Sequence, residues 1–520
     1  MKEKFSRSEK IILIILGTLF GFTPLSDPDF GWHYKYGEYF VKHGQILREN
    51  IFSYTMPDYK WANSYWISEV FFYLAVTFLG VFLLNIILGA ILTWTEILLT
   101  EKIDAGKTVK FFALIILWTT LDTYAINIRP LYFSTLFFIL IIYALLYKPK
   151  LIRFSPLLFL LWVNMHADFV LGLAVIGIYL FFHSANLIRS KTQNPIKNIL
   201  INLCIFIGCF AVTFLNPFGA YLWKTLFNDI FNPTQTATIG EWLSVLHVEK
   251  FSLRDILNAV PNLVLMTYLA LPIIFSSVQI VARKVRKKYL PSRLSNSLNF
   301  PPVQNTKTEN YLWLTAVNIL FLALTFRSIY FLRILFITSL TQTVVFWDEI
   351  QKRFLSFLTT IKPVHLKIVK ILSIIVIIIA AVGGFIRLFP FTASYDKLSR
   401  KIFCSPKAFE YIKNSKLQGR MFNSFDLGGF LIWRLPEIKV FIDGRMNSWK
   451  DSSGRIFDDY MKIDKHPKEN YGLFKEYADR YDIGWIIANV NTEFAKFIKE
   501  KPDEWKIVYT EANCVILVKT

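Results

Sequence analysis

Two aspartates one residue apart, Asp27 and Asp29, stand just past the first apolar run, in the string Asp27-Pro28-Asp29-Phe30-Gly31-Trp32-His33. Carboxylates at the mouth of a helix bundle can hold a divalent cation or take a proton from an acceptor hydroxyl. Asp-Pro-Asp is also ordinary turn chemistry, so both readings stay open. His166 and Asp168 lie between two later apolar runs, where they could join Asp29 around a metal or simply cap helix ends. Arg129, Arg327 and Arg333 sit near ends of apolar runs; a guanidinium there either grips a phosphate or snorkels to the headgroups. The aromatic stretch from Trp61 to Trp66 could stack on sugar faces.

The elements that must position these groups are membrane spans. Of the 520 residues, 54% are hydrophobic and 18% charged, against about a quarter charged in a soluble protein. Mean hydropathy is +0.41. About eleven apolar runs can be marked between residues 10 and 390, long enough or nearly so to cross about 30 Å of hydrocarbon. The run over 67–100 is too long for one simple span and carries a candidate break at Gly80, and the run over 154–165 is short. With the N-terminus placed in the cytoplasm, the basic clusters around Lys102–Lys110, Lys148–Arg153, Arg189–Lys197, Arg283–Lys288 and Lys352–Lys367 all fall on one side. The positive-inside rule asks for that pattern. It also explains the net charge of +20 without nucleic acid, which is excluded as a partner. The aspartates, histidines and tryptophans then gather on the opposite, extracytoplasmic side.

The expected architecture is a polytopic α-helical membrane protein. Residues 1–390 form the transmembrane part, with a large first outer loop at 27–66, and residues 391–520 form an extracytoplasmic α/β domain. In that last segment the spacing predicts helices at Pro406–Lys413, Tyr471–Tyr481 and Glu493–Lys499. It predicts strands at Arg420–Phe425, Lys439–Ile442 and Gly484–Ile487, and a closing hairpin from Trp505 to Val518. Cys404 and Cys514 both fall there, where an oxidising compartment permits a disulfide, but spacing alone does not show that they meet. Phosphate-binding P-loop, paired-cysteine zinc and nucleophile-elbow patterns are missing, so direct use of cytoplasmic nucleotide is unsupported.

Asp29 to Gly44 resembles the first outer loop of GT-C-type membrane glycosyltransferases, especially the catalytic subunit of oligosaccharyltransferases. There an Asp is followed by a basic residue six positions on, a Glu nine on and a Gly fifteen on; here these are Lys35, Glu38 and Gly44. The usual Arg is Lys35, and the usual Pro after the Asp is Phe30. A wider set resembles bacterial GT-C-like proteins: Trp32-His33, Phe52–Thr55, Trp61, Trp66–Glu69, Arg129-Pro130, Asn164–His166, Asn216–Gly219, Glu241-Trp242, Gly419–Asn423 and Val440–Arg445. Ser424-Phe425-Asp426 is similar in place to a Trp-Trp-Asp segment that helps oligosaccharyltransferases recognise peptide, with both tryptophans replaced.

The resemblance implies a GT-C-like bundle of about eleven transmembrane helices and a glycosyltransferase fed by a polyprenyl-phosphate-linked sugar or glycan. The acceptor is a glycan, lipid or protein at the outer face of the cytoplasmic membrane. Asp29 is the expected central catalytic acid, with Asp27 in reserve and His166 beside the acceptor. A divalent metal, Mg or Mn, is the candidate cofactor, held by Asp29 and Asp168. Substrate contacts are expected from His33, Trp61, Trp66, Glu69, Arg129, Asn164, Arg327, Arg333, Asp443 and Arg445. Two readings compete: a transporter or flippase for a lipid-linked glycan, and a non-catalytic assembly subunit. Transporters usually place polar groups at mid-membrane, whereas here they cluster at one face.

Overall fold

The structure is a computed structural model that describes residues 3–22, 25, 27–101, 106–120, 128–190, 193–230, 232, 237–244, 311–345, 403–450, 454–511 and 513–520. The apolar runs at 261–281 and 367–390 and the basic cluster at 283–288 lie outside the described residues, so the eleven-span expectation is only partly represented here.

Among the described residues the chain begins with α1 (Arg7–Gly21). Ser6 opens it in a reciprocal cap: its hydroxyl accepts from Glu9 N–H, while Glu9 accepts from Ser6 N–H. α2 (Phe30–His43) follows the aspartate pair, so the expected turn runs directly into a helix. α3 (Trp66–Glu101) has 36 residues and a break at Gly80, where φ is 72° and ψ 164°. Unbroken, it would reach about 54 Å, well past the bilayer's hydrocarbon. Then come α4 (Lys107–Thr120), α5 (Leu131–Tyr147), α6 (Ser155–Val163), α7 (Phe169–Arg189), α8 (Pro195–Ala211), α9 (Ala220–Ile230), α10 (Leu312–Arg327) and α11 (Leu332–Val345). Among the described residues, three helical stretches are long and apolar enough to cross a membrane: Trp66–Glu101, Phe169–Arg189 and Pro195–Phe214. Large apolar side chains project outward from them, including Phe78, Phe181 and Ile196, each at least 70% exposed, as a lipid-facing surface requires. At nine residues, α6 is about 14 Å long and continues a 3₁₀ turn over Pro149–Phe154. α10 and α11 are joined by a satisfied polar network. Gln342 Nε2 donates to Thr315 Oγ1 at 2.9 Å, while Asn318 accepts from Thr338 and donates to Gln342. Interhelical hydrogen bonds of this kind hold apolar helices in register.

The C-terminal segment folds as α12 (Pro406–Ser415), β1 (Arg420–Asn423), α13 (Gly428–Arg434), α14 (Ile456–Lys465), α15 (Tyr471–Arg480), β2 (Ile483–Asn489), α16 (Glu493–Ile498), β3 (Trp505–Thr510) and β4 (Cys514–Lys519). The sheet order is β1-β2-β4-β3, with β1 parallel to β2 and the other pairs antiparallel. Alternate residues feed two apolar clusters. Phe422, Ile486, Ala488, Val515 and Leu517 face one; Met421, Trp485, Ile487, Cys514 and Ile516 face the other. Both faces are therefore covered, which explains the near-continuous apolar run of β2. The strand expected at Lys439–Ile442 is a single bridge from Val440 to Ser53. It is extended by Tyr54 N–H to Val440 O at 3.2 Å and Val440 N–H to Phe52 O at 3.0 Å. The first loop is thus built into the sheet body rather than hanging from the helices. Cys404 and Cys514 form a disulfide, with Cα atoms 5.3 Å apart.

Candidate active site

α2 joins the helical bundle to the sheet body through a crossing that only glycine permits. A Cβ on Gly31 would lie 1.8 Å from Gly429 O, and one on Gly429 would lie 2.2 Å from Pro28 O. This close approach carries the 443–448 turn over the start of α2. A Cβ on Gly444 would fall 1.8 Å from Asp29 Oδ1. The result is a cavity of about 320 Å³ walled by the first loop, the Arg129 and His166–Asp168 turns, α9, Glu241-Trp242, Tyr330-Phe331 and Gly444–Ser448. A second concavity, about 590 Å³ between Arg153 and Ile205, is lined by apolar residues and two bases and holds no carboxylate. The chemistry is in the first.

At the cavity wall, Asp29 N–H donates to Asp27 Oδ1 at 2.8 Å, and Trp32 Nε1 donates to Asp29 Oδ1 at 2.9 Å. Arg129 Nη1 lies 3.2 Å from Asp27 Oδ2 and 2.7 Å from Glu241 Oε1. The nearer contact is aligned on Glu241, so Asp27 Oδ2 is ion-paired yet has no aligned hydrogen bond. Burial pushes the Asp29 carboxyl up to about 7, with the neighbouring Asp27 charge adding to it. Burial also raises Asp27, against the pull of Arg129. Two carboxylates buried side by side, one oxygen lacking a donor, fit a divalent cation. Asp168 is committed differently. Its oxygens accept from Tyr330 OH at 2.8 Å and from Arg333. Burial works to raise its carboxyl, but the Arg333 guanidinium overcomes this and holds it below the usual range. Among the described residues, the one group of three clustered metal-ligand types is Cys404, Glu511 and Cys514. The disulfide takes both sulfurs there, and Glu511 accepts from Ser405 N–H and Tyr509 OH.

Two histidines face the cavity with opposite polarity. His33 Nδ1 lies 3.0 Å from Glu69 Oε1. His166 Nδ1 receives Asp168 N–H at 3.2 Å and sits 2.9 Å from Ser134 Oγ. Burial lowers both imidazoles, so both are neutral near pH 7. Tyr65 stands between them, its ring 5.2 Å from His33 and 5.4 Å from His166.

Of the residues expected from sequence, Asp27, Asp29, His33, Trp61, Arg129, His166, Asp168 and Arg445 line the cavity. Glu69, Arg333 and Asp443 stand directly behind them. Arg445 and Asp443 form a fully buried pair, with Nε and Nη2 each 2.7 Å from a carboxylate oxygen. The same guanidinium bonds Tyr36 and Asn50, so this pair pins the first loop. Trp66 and Asn164 bond each other at 2.8 Å away from the cavity, and Arg327 is exposed, with Nη2 donating to Ile230 O at 3.0 Å. Ser424 and Phe425 do not line it either; Phe425 packs on Phe457 and Tyr460. The sequence reading missed Asp229, whose half-buried carboxyl is pushed up to about 6 by desolvation, against a Ser448 hydrogen bond. It also missed Tyr330 as a lining group, while Tyr65 falls inside the Trp61–Trp66 aromatic stretch it singled out. A lone carboxylate near the end of the amphipathic α9 was the available signal for Asp229.

An oligosaccharyltransferase from Archaeoglobus fulgidus, in the apo form, superposes with a TM-score of 0.52 at 11% identity, over 94% of this chain and 70% of that one. The same enzyme tethered to an acceptor peptide bearing an NVT sequon gives 0.54 at 12% identity, over 94% and 70%. The A. fulgidus enzyme AglB with an inhibitory peptide and a dolichol-phosphate gives 0.52 at 12%, over 92% and 69%. The chain has the oligosaccharyltransferase fold. That is a GT-C fold, as the first-loop resemblance implied, though at this identity the likeness speaks for architecture alone. No protein-family model matches the chain, and no curated protein matches it.

Proposed function

We propose that this chain is an integral membrane glycosyltransferase that moves a sugar or glycan from a polyprenyl-phosphate-linked donor to an acceptor at the outer side of the cytoplasmic membrane. The observation that carries this reading is the juxtaposition, at one cavity, of a buried carboxylate pair with Arg129, which also lines an adjoining pocket together with Arg333. Arg333 keeps Nε and Nη1 without partners, and Arg129 keeps Nε, all of them buried. Buried guanidinium donors without partners are costly unless an anion meets them, and a phosphate oxygen is a fitting one. The solved relative bound to dolichol-phosphate supports a lipid-linked donor. In this reading residues 1–390 form the membrane part, 391–520 an extracytoplasmic α/β domain, and the N-terminus is cytoplasmic.

Asp29, with Asp27 beside it, orients the acceptor or holds a divalent cation such as Mg or Mn. Such a cation would neutralise charge developing on the departing phosphate. Arg129 and Arg333 hold the phosphate from the protein side, and the walls of the cavity exclude water from the reacting bond. Asp168 acts through Arg333, fixing its position. Trp61 presents a ring face to the sugar. The test is a glycan profile of a strain lacking the gene, rescued by wild type or by Asp29→Asn. Restoration by wild type alone supports the assignment; equal restoration by Asp29→Asn removes Asp29 from the chemistry.

A further inference from the structure

With Glu69 ionised, the network behind His33 sets which way its proton points. Tyr65 N–H donates to Asn63 Oδ1 at 2.8 Å, so the amide nitrogen of Asn63 must face the other way. That nitrogen donates to Glu69 Oε2 at 2.7 Å. Glu69 therefore receives from Asn63 on one oxygen and meets His33 Nδ1 on the other, at 3.0 Å. Burial pushes the Glu69 carboxyl up, against the Asn63 hydrogen bond; in its ionised form the carboxylate accepts at both oxygens, which places the His33 proton on Nδ1 and the lone pair on Nε2. All three side chains are buried: Asn63 at 0%, Glu69 at 1% and His33 at 5% exposure. The His33 ring nevertheless lines the cavity. His166 has the reverse polarity. Its Nδ1 accepts from Asp168 N–H, and Trp162 Nε1 donates to Ser134 Oγ at 2.8 Å, which turns the Ser134 proton toward the same Nδ1. The His166 proton is then on Nε2. One cavity thus carries an imidazole lone pair and an imidazole N–H on either side of Tyr65.

We propose that His33, held by Glu69, is the catalytic base, and that the acceptor it serves is a hydroxyl of a carbohydrate. This rests on the transferase reading above and narrows it, leaving Asp29 to orient the acceptor or hold a cation. His33 Nε2 takes the proton from the acceptor hydroxyl as its oxygen attacks the anomeric carbon. The new carbon–oxygen bond forms as the carbon–oxygen bond to the donor phosphate breaks, and that electron pair leaves on the polyprenyl phosphate. The proton on His33 passes to water when product departs. Glu69 is a positioning residue that steadies the transient imidazolium, as a carboxylate does behind a catalytic histidine in hydrolases. A hydroxyl needs such a base, and Trp61 and Tyr65 beside His33 offer faces on which a sugar ring can rest.

The test uses membranes of the deletion strain carrying the full chain, with donor titrated as a lipid extract of the host. His33→Gln is expected to lower kcat by about 100-fold or more. Glu69→Gln is expected to lower it at least tenfold, with the KM for donor lipid within twofold of wild type in both. In His33→Ala, added imidazole should restore part of the rate, a response that a packing defect would not give. The restored glycan should be joined through an O-glycosidic bond to a sugar, read by methylation analysis and NMR. Thermal unfolding in detergent guards against misfolded variants. Full rate in a folded His33→Gln, a raised donor KM at unchanged kcat, or an N-glycosidic product would overturn the proposal alone. A deletion strain with an unchanged glycan profile would overturn the transferase reading, and this proposal with it.

Discussion

Asp443 and Arg445 show why a charged residue near a site need not touch substrate. Every donor of the Arg445 guanidinium that the network uses goes to Asp443, Tyr36 or Asn50 inside the protein. Asp443→Asn leaves that guanidinium buried with its partner charge gone, and is expected to destabilise the fold by about 3–5 kcal/mol, measured as lost thermal stability in detergent. Gly444→Ala is the contrasting case. Its methyl group would displace the Asp29 carboxylate, and a shift of about 1 Å costs roughly 100-fold in rate. Transfer should fall by that order while most of the protein remains folded, as checked by complementation beside a melting curve. Asp464 offers a pH test outside the membrane-spanning helices. Its carboxyl is pushed up to about 6, chiefly by burial. The folded state therefore holds this proton more tightly than the unfolded chain does. The penalty is absent below about pH 4, grows as pH rises to about 6 and stays constant above. Asp464→Asn should raise stability at pH 8 by on the order of 1–2 kcal/mol and leave it unchanged at pH 4.

At the scale of elements, the crossing of α2 and α13 decides whether the sheet body reaches the bundle. Gly31→Ala puts a methyl group into the Gly429 carbonyl, so the two helices must separate. Overpacking of this kind costs about 1–3 kcal/mol or more. The larger effect should be functional, because the separation carries Gly444 away from Asp29. Loss of rescue by Gly31→Ala with the chain still inserted in the membrane is the expected outcome; unimpaired rescue would show that the crossing tolerates a Cβ. The break in α3 was legible in the sequence because the largely apolar run over 67–100 is too long for one simple span and Gly80 is where the backbone yields. The start of α2 was not legible, because Asp-Pro-Asp reads equally well as a turn and as the entry to a helix.

For the whole molecule, the Cys404–Cys514 disulfide closes a separation of 110 residues. A loop that long stabilises by about 4–5 kcal/mol in the chain-entropy account. Reduction should therefore lower the melting temperature of the intact protein. It should also free two thiols that are buried in the fold, so a maleimide should label them only in reduced and denatured protein, and labelling of denatured protein without reduction would show that the disulfide is absent. The first loop, sheet body and helical bundle share one site, so removing residues 391–520 should abolish transfer rather than merely weaken acceptor binding. Glycan analysis of a truncated chain checks this.

Composition and the spacing of apolar runs determined the membrane character, the small C-terminal sheet and most of its strands, because burial periodicity is local and is written along the chain. The order of short motifs led to Asp29, His166 and Arg129. What sequence could not decide is who faces whom. His33 and Glu69 are 36 residues apart, and Asp168 and Arg333 are 165 apart. Asp443 looked like a substrate contact until folding turned it toward Arg445. Side-chain commitments of this kind depend on low-dielectric pairing between distant segments, and only the tertiary structure brings those segments together.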